Sequence, residues 1–111
     1  MATIEYDKLS VPQLQKLAES GFFRSSDTLA QFNLALRYSN GQGVPKDEKE
    51  AVRLYRLAAE QGNAAAQTNL GWMYANGQGV TQDEKEAVRL YRLAAEQGEI
   101  KSKVVYGRSV A

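Results

Sequence analysis

Apolar side chains recur every three to four positions along most of this 111-residue chain, and they fall in the same places twice. Between residues 83 and 98, Ala87, Leu90, Tyr91 and Ala94 stand at i, i+3, i+4 and i+7, the stripe of a helix with one buried face. Asp83 opens this stretch with Glu86 three residues on, a capping-box arrangement, and Gly98 closes it. Upstream, Leu70, Met73 and Tyr74 lie at helical spacing in a segment expected from about Ala64 to Ala75. Asn76-Gly77 then supplies a residue able to take positive φ, which ends a helix. The loop NGQGV joins the two segments. The pattern predicts a helix A, a glycine turn and a helix B, with no strand pattern, so the chain reads as all-α.

The same pair is written twice. At an offset of 36, Tyr38 falls on Tyr74, Gly41 on Gly77, Asp47 on Asp83, Tyr55 on Tyr91 and Gly62 on Gly98. The sixteen residues DEKEAVRLYRLAAEQG occur without change at 47–62 and 83–98. A period of this size marks a solenoid, in which one unit cannot bury its apolar face alone and stacks on copies of itself. The expected organisation is a single domain: residues 1–26 as an N-terminal capping helix and linker, 27–62 as repeat 1, 63–98 as repeat 2, and 99–111 as helix A of a partial third repeat. Ser10 with Gln13 and Pro12 start the first helix, and its KLAESG echoes RLAAEQG as a worn helix B. Asp27 is the expected cap of the first helix A.

These residues resemble the Sel-one-like repeat (SLR), a relative of the tetratricopeptide repeat. Copy two carries the family pattern throughout, in Leu70-Gly71, Tyr74, Gly77, Gly79-Val80, Asp83, Ala87, Tyr91, Ala94-Ala95 and Gly98. Copy one departs from it at Ala35, where the first glycine stands in the pattern. The resemblance covers about residues 27–107. It implies an α/α right-handed superhelical solenoid of antiparallel helix pairs and a role as adaptor or scaffold, often in bacterial signalling, stress or host interaction.

Composition removes several classes of function. Neither cysteine nor histidine occurs, which takes away thiolate chemistry, disulfides, the commonest metal ligand and the commonest general base. Fourteen basic against thirteen acidic residues leave a net charge of +1, too little to hold nucleic acid by its global field. No apolar run approaches the roughly 18 residues of a membrane span, and the start MATIEYDKLS lacks the basic and apolar regions of a secretory signal. The expectation is a cytoplasmic protein that is not an enzyme, takes no cofactor or metal, and inserts in no membrane.

The conspicuous motifs have structural readings. GQGV lacks the preceding strand, third glycine and Lys-Ser or Lys-Thr pair of a phosphate loop, and reads as the turn between helices A and B. Asp47, Glu48 and Glu50, with Asp83, Glu84 and Glu86, suit a first helical turn, where free N–H groups and the dipole favour negative charge. Arg53 and Arg56 are expected to pair with Glu50 and Glu60 along a solvated face. Tyr55 and Tyr91 are expected in the core, with the hydroxyl at its edge.

Specificity is sought where the copies differ, and the differences concentrate in helix A. Leu29, Phe32 and Leu36, matched by Ala65, Thr68 and Trp72, are spaced by three and four and share a helix face. Lys101, Val104 and Arg108 follow in the third copy. In the related architecture these positions line the concave groove, and Trp72 and Arg108, with Asn69 and Asn76 nearby, suit recognition of a protein or peptide. Packing on the N-terminal helix and on Phe22 and Phe23 is the other reading for the first copy. A second expectation is self-association or partner neutralisation at an uncapped C-terminal edge formed by helix B of repeat 2, Ile100, Val104 and Val105.

Overall fold

Four short polar side chains set where the long helices begin. Asp27, Asp47, Asn63 and Asp83 are extended at the backbone, and each accepts a hydrogen bond from the amide three residues on. That satisfies one of the donors a helix start leaves without a partner. The computed structural model describes residues 4–19 and 27–98. Along them run a 3₁₀ turn (Tyr6–Lys8) and helices α1 (Val11–Glu19), α2 (Thr28–Asn40), α3 (Glu48–Glu60), α4 (Ala64–Asn76) and α5 (Glu84–Glu96). No strand occurs among the described residues.

The capping boxes differ from the sequence expectation. Ser10 and Gln13 form a full one, in which the Gln13 amide donates to Ser10 Oγ at 3.3 Å and the Ser10 amide to Gln13 Oε1 at 2.9 Å. At Asp47 and Asp83 only the forward half forms. The Asp47 and Asp83 amides donate instead to the carbonyls of Tyr38 and Tyr74, both at 2.9 Å. Glu50 and Glu86, with no donor to reach back to, pair with Arg53 and Arg89 at 2.6 Å. Helices α2 and α4 end at Gly41 and Gly77, whose φ values of 68° and 67° lie in the left-handed region that a side chain disfavours.

Helices α2 and α3 pack as one hairpin and α4 and α5 as the next, with α4 also against α3 and α1 against α2. The core is a continuous row: Leu14, Leu34, Leu54, Tyr55, Leu70, Met73 and Leu90 are all buried. Within the second hairpin, α4 comes so close to α5 that a Cβ on Gly71 would lie 2.9 Å from the Tyr91 ring.

One set of contacts makes every joint. The Gln67 side chain, buried in α4, donates to the Ala59 carbonyl of α3 and accepts from Gln97 after α5, at 3.1 and 2.9 Å. Gln31 in α2 does the same with Ala18 of α1 and with Gln61, at 3.4 and 2.7 Å. Each glutamine thus ties its own hairpin shut and fastens it to the preceding helix. A second contact joins Arg56 to the Tyr74 hydroxyl, and Gln15 to that of Tyr38. A third seats the turn glycine on a valine, Gly79 on Val52 and Gly43 on Val11. On the helix B side all three pairs are 41 residues apart, and on the helix A side 36. Helix α1 therefore stands where a helix B of a preceding unit would stand, in line with the echo of KLAESG in RLAAEQG.

The segment before α1 follows α2. The Tyr6 hydroxyl donates to Asp27 at 2.8 Å, and the Arg37 guanidinium donates to the carbonyls of Asp7 and Leu9 at 3.0 and 2.6 Å. Arg37 replaces the Met73 of copy two, so this difference between copies serves the N-terminal end.

Candidate functional site

The two A helices are almost free of charge, and this sets the character of the face they share. Across α2 and α4 the one ionised side chain is Arg37, which is held by the Asp7 and Leu9 carbonyls. Helices α3 and α5 carry six ionised side chains each. The described residues are therefore polarised: apolar and neutral polar side chains predominate on α2 and α4, and charged ones on α3 and α5.

Between α2 and α4 lies a pocket of about 190 Å³ lined by Leu36, Ser39, Tyr55, Asn69, Trp72, Met73 and Gln78. Each element supplies a part. Leu36 and Ser39 come from one turn of α2, Asn69, Trp72 and Met73 from successive turns of α4, Gln78 from the loop after it, and Tyr55 rises from α3 as the floor. The Tyr55 ring is buried and packs at 5.8 Å, tilted, on Phe32. Its oxygen accepts from Asn69 Nδ2 at 3.3 Å. Burial raises the Tyr55 phenol above its ordinary pKa, an effect the Asn69 hydrogen bond opposes, so the hydroxyl keeps its proton at neutral pH. Trp72, 48% exposed, forms the open wall. It stands beside the partly exposed Leu36, and neighbouring apolar side chains on a surface mark an interaction site better than a single one does.

The structure sorts the sequence candidates. Leu36, Asn69 and Trp72 come together at the pocket. Leu29 is 49% exposed, one helical stretch from Leu36 along α2. Phe32 is half-buried and serves as a packing partner of Tyr55. Thr68 is buried, its hydroxyl donating to the Ala64 carbonyl one turn back, and it adds nothing to the pocket lining. Asn76 is exposed and donates to the Trp72 carbonyl at 2.8 Å, bracing the α4 end beside Gly77. Lys101, Val104 and Arg108, with Ile100 and Val105, lie outside the described residues. Sequence reasoning missed Ser39, Met73, Gln78 and the floor position of Tyr55. Ser39 and Met73 did carry a signal, since both differ between the copies. Gln78 is identical in both and carried none.

On the charged face a wider cleft of about 340 Å³ separates α3 from α5 over Leu70, with Arg56 and Glu60 on one side and Arg89 and Leu93 on the other. Two of its three ionic groups, Arg56 and Arg89, are hydrogen-bonded within the molecule. Arg89 grips Glu86 through two hydrogen bonds of 2.6 and 2.9 Å, which holds the Glu86 carboxyl below the usual carboxylate range and the Arg89 guanidinium above its own. Arg56 was expected to pair with Glu60. It donates instead to the Tyr74 hydroxyl at 2.6 Å and lies 5.5 Å from that ring's centre, because α4 brings the aromatic ring within reach. Although larger, this cleft is lined by charged side chains, of which Arg89 is matched by the Glu86 carboxylate. Among the described residues no group of three or more acidic side chains could hold a metal ion, and no helix is long and apolar enough to cross a membrane.

Comparison with known proteins follows the same lines. A model of the Sel1 repeat matches residues 28–63 and 64–99. Among solved structures, a Sel1 repeat protein from Oxalobacter formigenes superposes with a TM-score of 0.71 at 42% identity, over 73% of this chain and 33% of its own. A protective antigen of uropathogenic Escherichia coli with an SLR fold, c5321, gives 0.68 at 35% identity, over 86% of this chain and 27% of that one. Cysteine rich protein B of Helicobacter pylori gives 0.68 at 27% identity, over 70% and 59%. The chain thus spans a quarter to three fifths of the length of these relatives. Comparison with curated protein sequences finds no match. With two repeat units in register, a solenoid of helix pairs and these structural neighbours, the chain belongs to the Sel1 repeat family, whose members generally mediate protein–protein interaction.

Proposed function

We propose that this protein is an interaction module that holds a segment of a protein partner against the neutral face of its A helices. The observation that carries the reading is the pocket between α2 and α4, which combines an exposed Trp72 wall, apolar Leu36 and Met73, and amide and hydroxyl groups able to meet a peptide backbone. Exposed aromatic anchors of this kind carry most of the energy at protein interfaces. The face has no acid–base pair and serves as an adaptor or scaffold surface, with no chemistry of its own.

Trp72 is the single tryptophan of the chain, so its fluorescence reports directly on the face. The expected result is a solvent-like emission in the free protein that shifts to shorter wavelength when a binding partner or selected peptide is added. Leu29→Ser and Trp72→Ala, both at exposed positions, are expected to lower affinity at least tenfold while leaving the melting temperature within a few degrees. Unchanged Trp72 emission in a complex of demonstrated stoichiometry refutes the reading.

A second reading is a regulatory or oligomerising role through the edge formed by α5. Val52 of α3 is 5% exposed beneath the Gly79 turn, whereas its counterpart Val88 of α5 is 41% exposed. A concentration-dependent mass that Val88→Asp abolishes supports it, and a single monomeric mass up to high concentration removes it.

A further inference from the structure

We infer that the pocket between α2 and α4 selects an uncharged stretch of partner chain bearing one side chain of about Leu or Phe size. This rests on the proposal that the A-helix face is the binding face, and it names what that face accepts. Three observations carry it.

The first is volume. The pocket, open on the Trp72 side, offers about 190 Å³, and a cavity of about 150 Å³ is known to accept benzene, so its size matches one ring or one branched aliphatic group. The second is lining. Leu36, Met73 and Trp72 form apolar walls, and the polar groups among them are neutral: the Asn69 and Gln78 amides and the Ser39 and Tyr55 hydroxyls. Tyr55 accepts from Asn69 and retains its own proton, so it can donate to a backbone carbonyl, while the amides can both donate and accept. A peptide unit flanking the anchor can thereby exchange its water for protein groups. The third is charge. Across both A helices the only ionised side chain is Arg37, and it is tied to the Asp7 and Leu9 carbonyls. A carboxylate or ammonium brought into the pocket would lose water without gaining a counter-charge. Complementarity here means neutrality, and it discriminates against the charged segments that the B face, with its twelve ionised side chains, would tolerate.

The test is selection of random twelve-residue peptides displayed on phage against the full chain, with binding of recovered peptides measured by Trp72 fluorescence. Two variants accompany the wild type. Ser39→Phe fills the pocket from a half-exposed position, and Leu93→Ser alters the cleft on the charged face. The expected result is enrichment of peptides with one Leu, Phe or Met flanked on both sides by uncharged residues. Their binding should fall at least tenfold with Ser39→Phe, stay within twofold with Leu93→Ser, and fall at least tenfold when the anchor residue is changed to Asp or Lys. Enrichment of acidic or basic motifs whose binding still falls with Ser39→Phe overturns this inference and leaves the A-helix face standing. Peptides indifferent to Ser39→Phe but weakened by Leu93→Ser overturn both, as does the failure of any sequence to enrich.

Discussion

Gln31 and Gln67 carry much of the connectivity between helices. Each is buried, uses its amide nitrogen on the preceding helix and its oxygen on the residue that ends its own hairpin. Removing the side chain leaves the Ala59 carbonyl with the Gly62 amide as its donor and the exposed Gln97 amide to water, and the loss of such hydrogen bonds costs about 0.5–1.5 kcal/mol each. Gln67→Ala should therefore lower the urea midpoint with little change in slope, and a midpoint equal to wild type would show that the joint does not depend on it. The glycines divide in the same way. Gly79 has φ +74°, and a Cβ there would lie 2.5 Å from the Glu48 carbonyl oxygen, a backbone atom that cannot step aside. Gly79→Ala should destabilise by more than about 1 kcal/mol. Gly71 is helical, has the Tyr91 ring at 2.9 Å from its Cβ position and the Ala87 carbonyl oxygen farther off at 3.3 Å, and is Ala35 in copy one against an identical helix B. Gly71→Ala should fall within about 1 kcal/mol of wild type, the crowding at Tyr91 offset by the better helix propensity of alanine. Parallel urea titrations of the two variants decide the contrast, and equal losses would refute it.

At the scale of elements, the helix boundaries were legible because caps and stops are local chemistry. Asp27, Asp47 and Asp83 cap as their spacing suggests, and Gly41 and Gly77 end the A helices. Asn63 was not singled out from the sequence, yet it caps α4 in the same way. Asn63→Ala should cost about 1 kcal/mol, seen as a lower melting temperature and faster amide exchange in the first turn of α4. What was not legible was long-range. The half-formed capping boxes depend on the Tyr38 and Tyr74 carbonyls, which arrive from the preceding helix. The turn of Arg56 from Glu60 to Tyr74 depends on where α4 lies. The pocket floor at Tyr55 follows from stacking α3 beneath two A helices, which no periodicity within one helix encodes. The Glu86–Arg89 pair belongs to this scale too. Its hydrogen bonds hold the Glu86 carboxyl below its unfolded value, so its contribution is present above about pH 4.3 and is lost as the pH falls through the lower, folded value. Because the pair is largely solvated, the contribution is less than about 1 kcal/mol. Glu86→Gln should shift the acid-unfolding midpoint upward only slightly, and a large shift would mean the pair is coupled to the core.

For the whole molecule, the decisive property is that neighbouring units touch through the same few residues. Stability in such a stack is a sum of unit and joint contributions. Inserting a further copy of residues 47–82 before Asp83 keeps every glutamine, tyrosine and glycine opposite its partner. The longer chain should unfold at a higher urea concentration and with a steeper slope, since more surface is exposed. A lower midpoint, or two separate transitions, would show that the joints are not equivalent. The polarity of the molecule is also a property at this scale. Neither helix type alone shows it, and it follows from placing two nearly uncharged helices on one face and two highly charged ones on the other.

Helix α1 meets the first full unit as α3 meets the second. It presents Gln15, Ala18 and Val11 to the first full unit in the register in which α3 presents Arg56, Ala59 and Val52 to the second. Because the socket it fills recurs at each unit, the leading segment of this chain could be grafted ahead of a different array that has the same glutamine, tyrosine and glycine. It would pack on the first unit of that array without redesign of the units behind it.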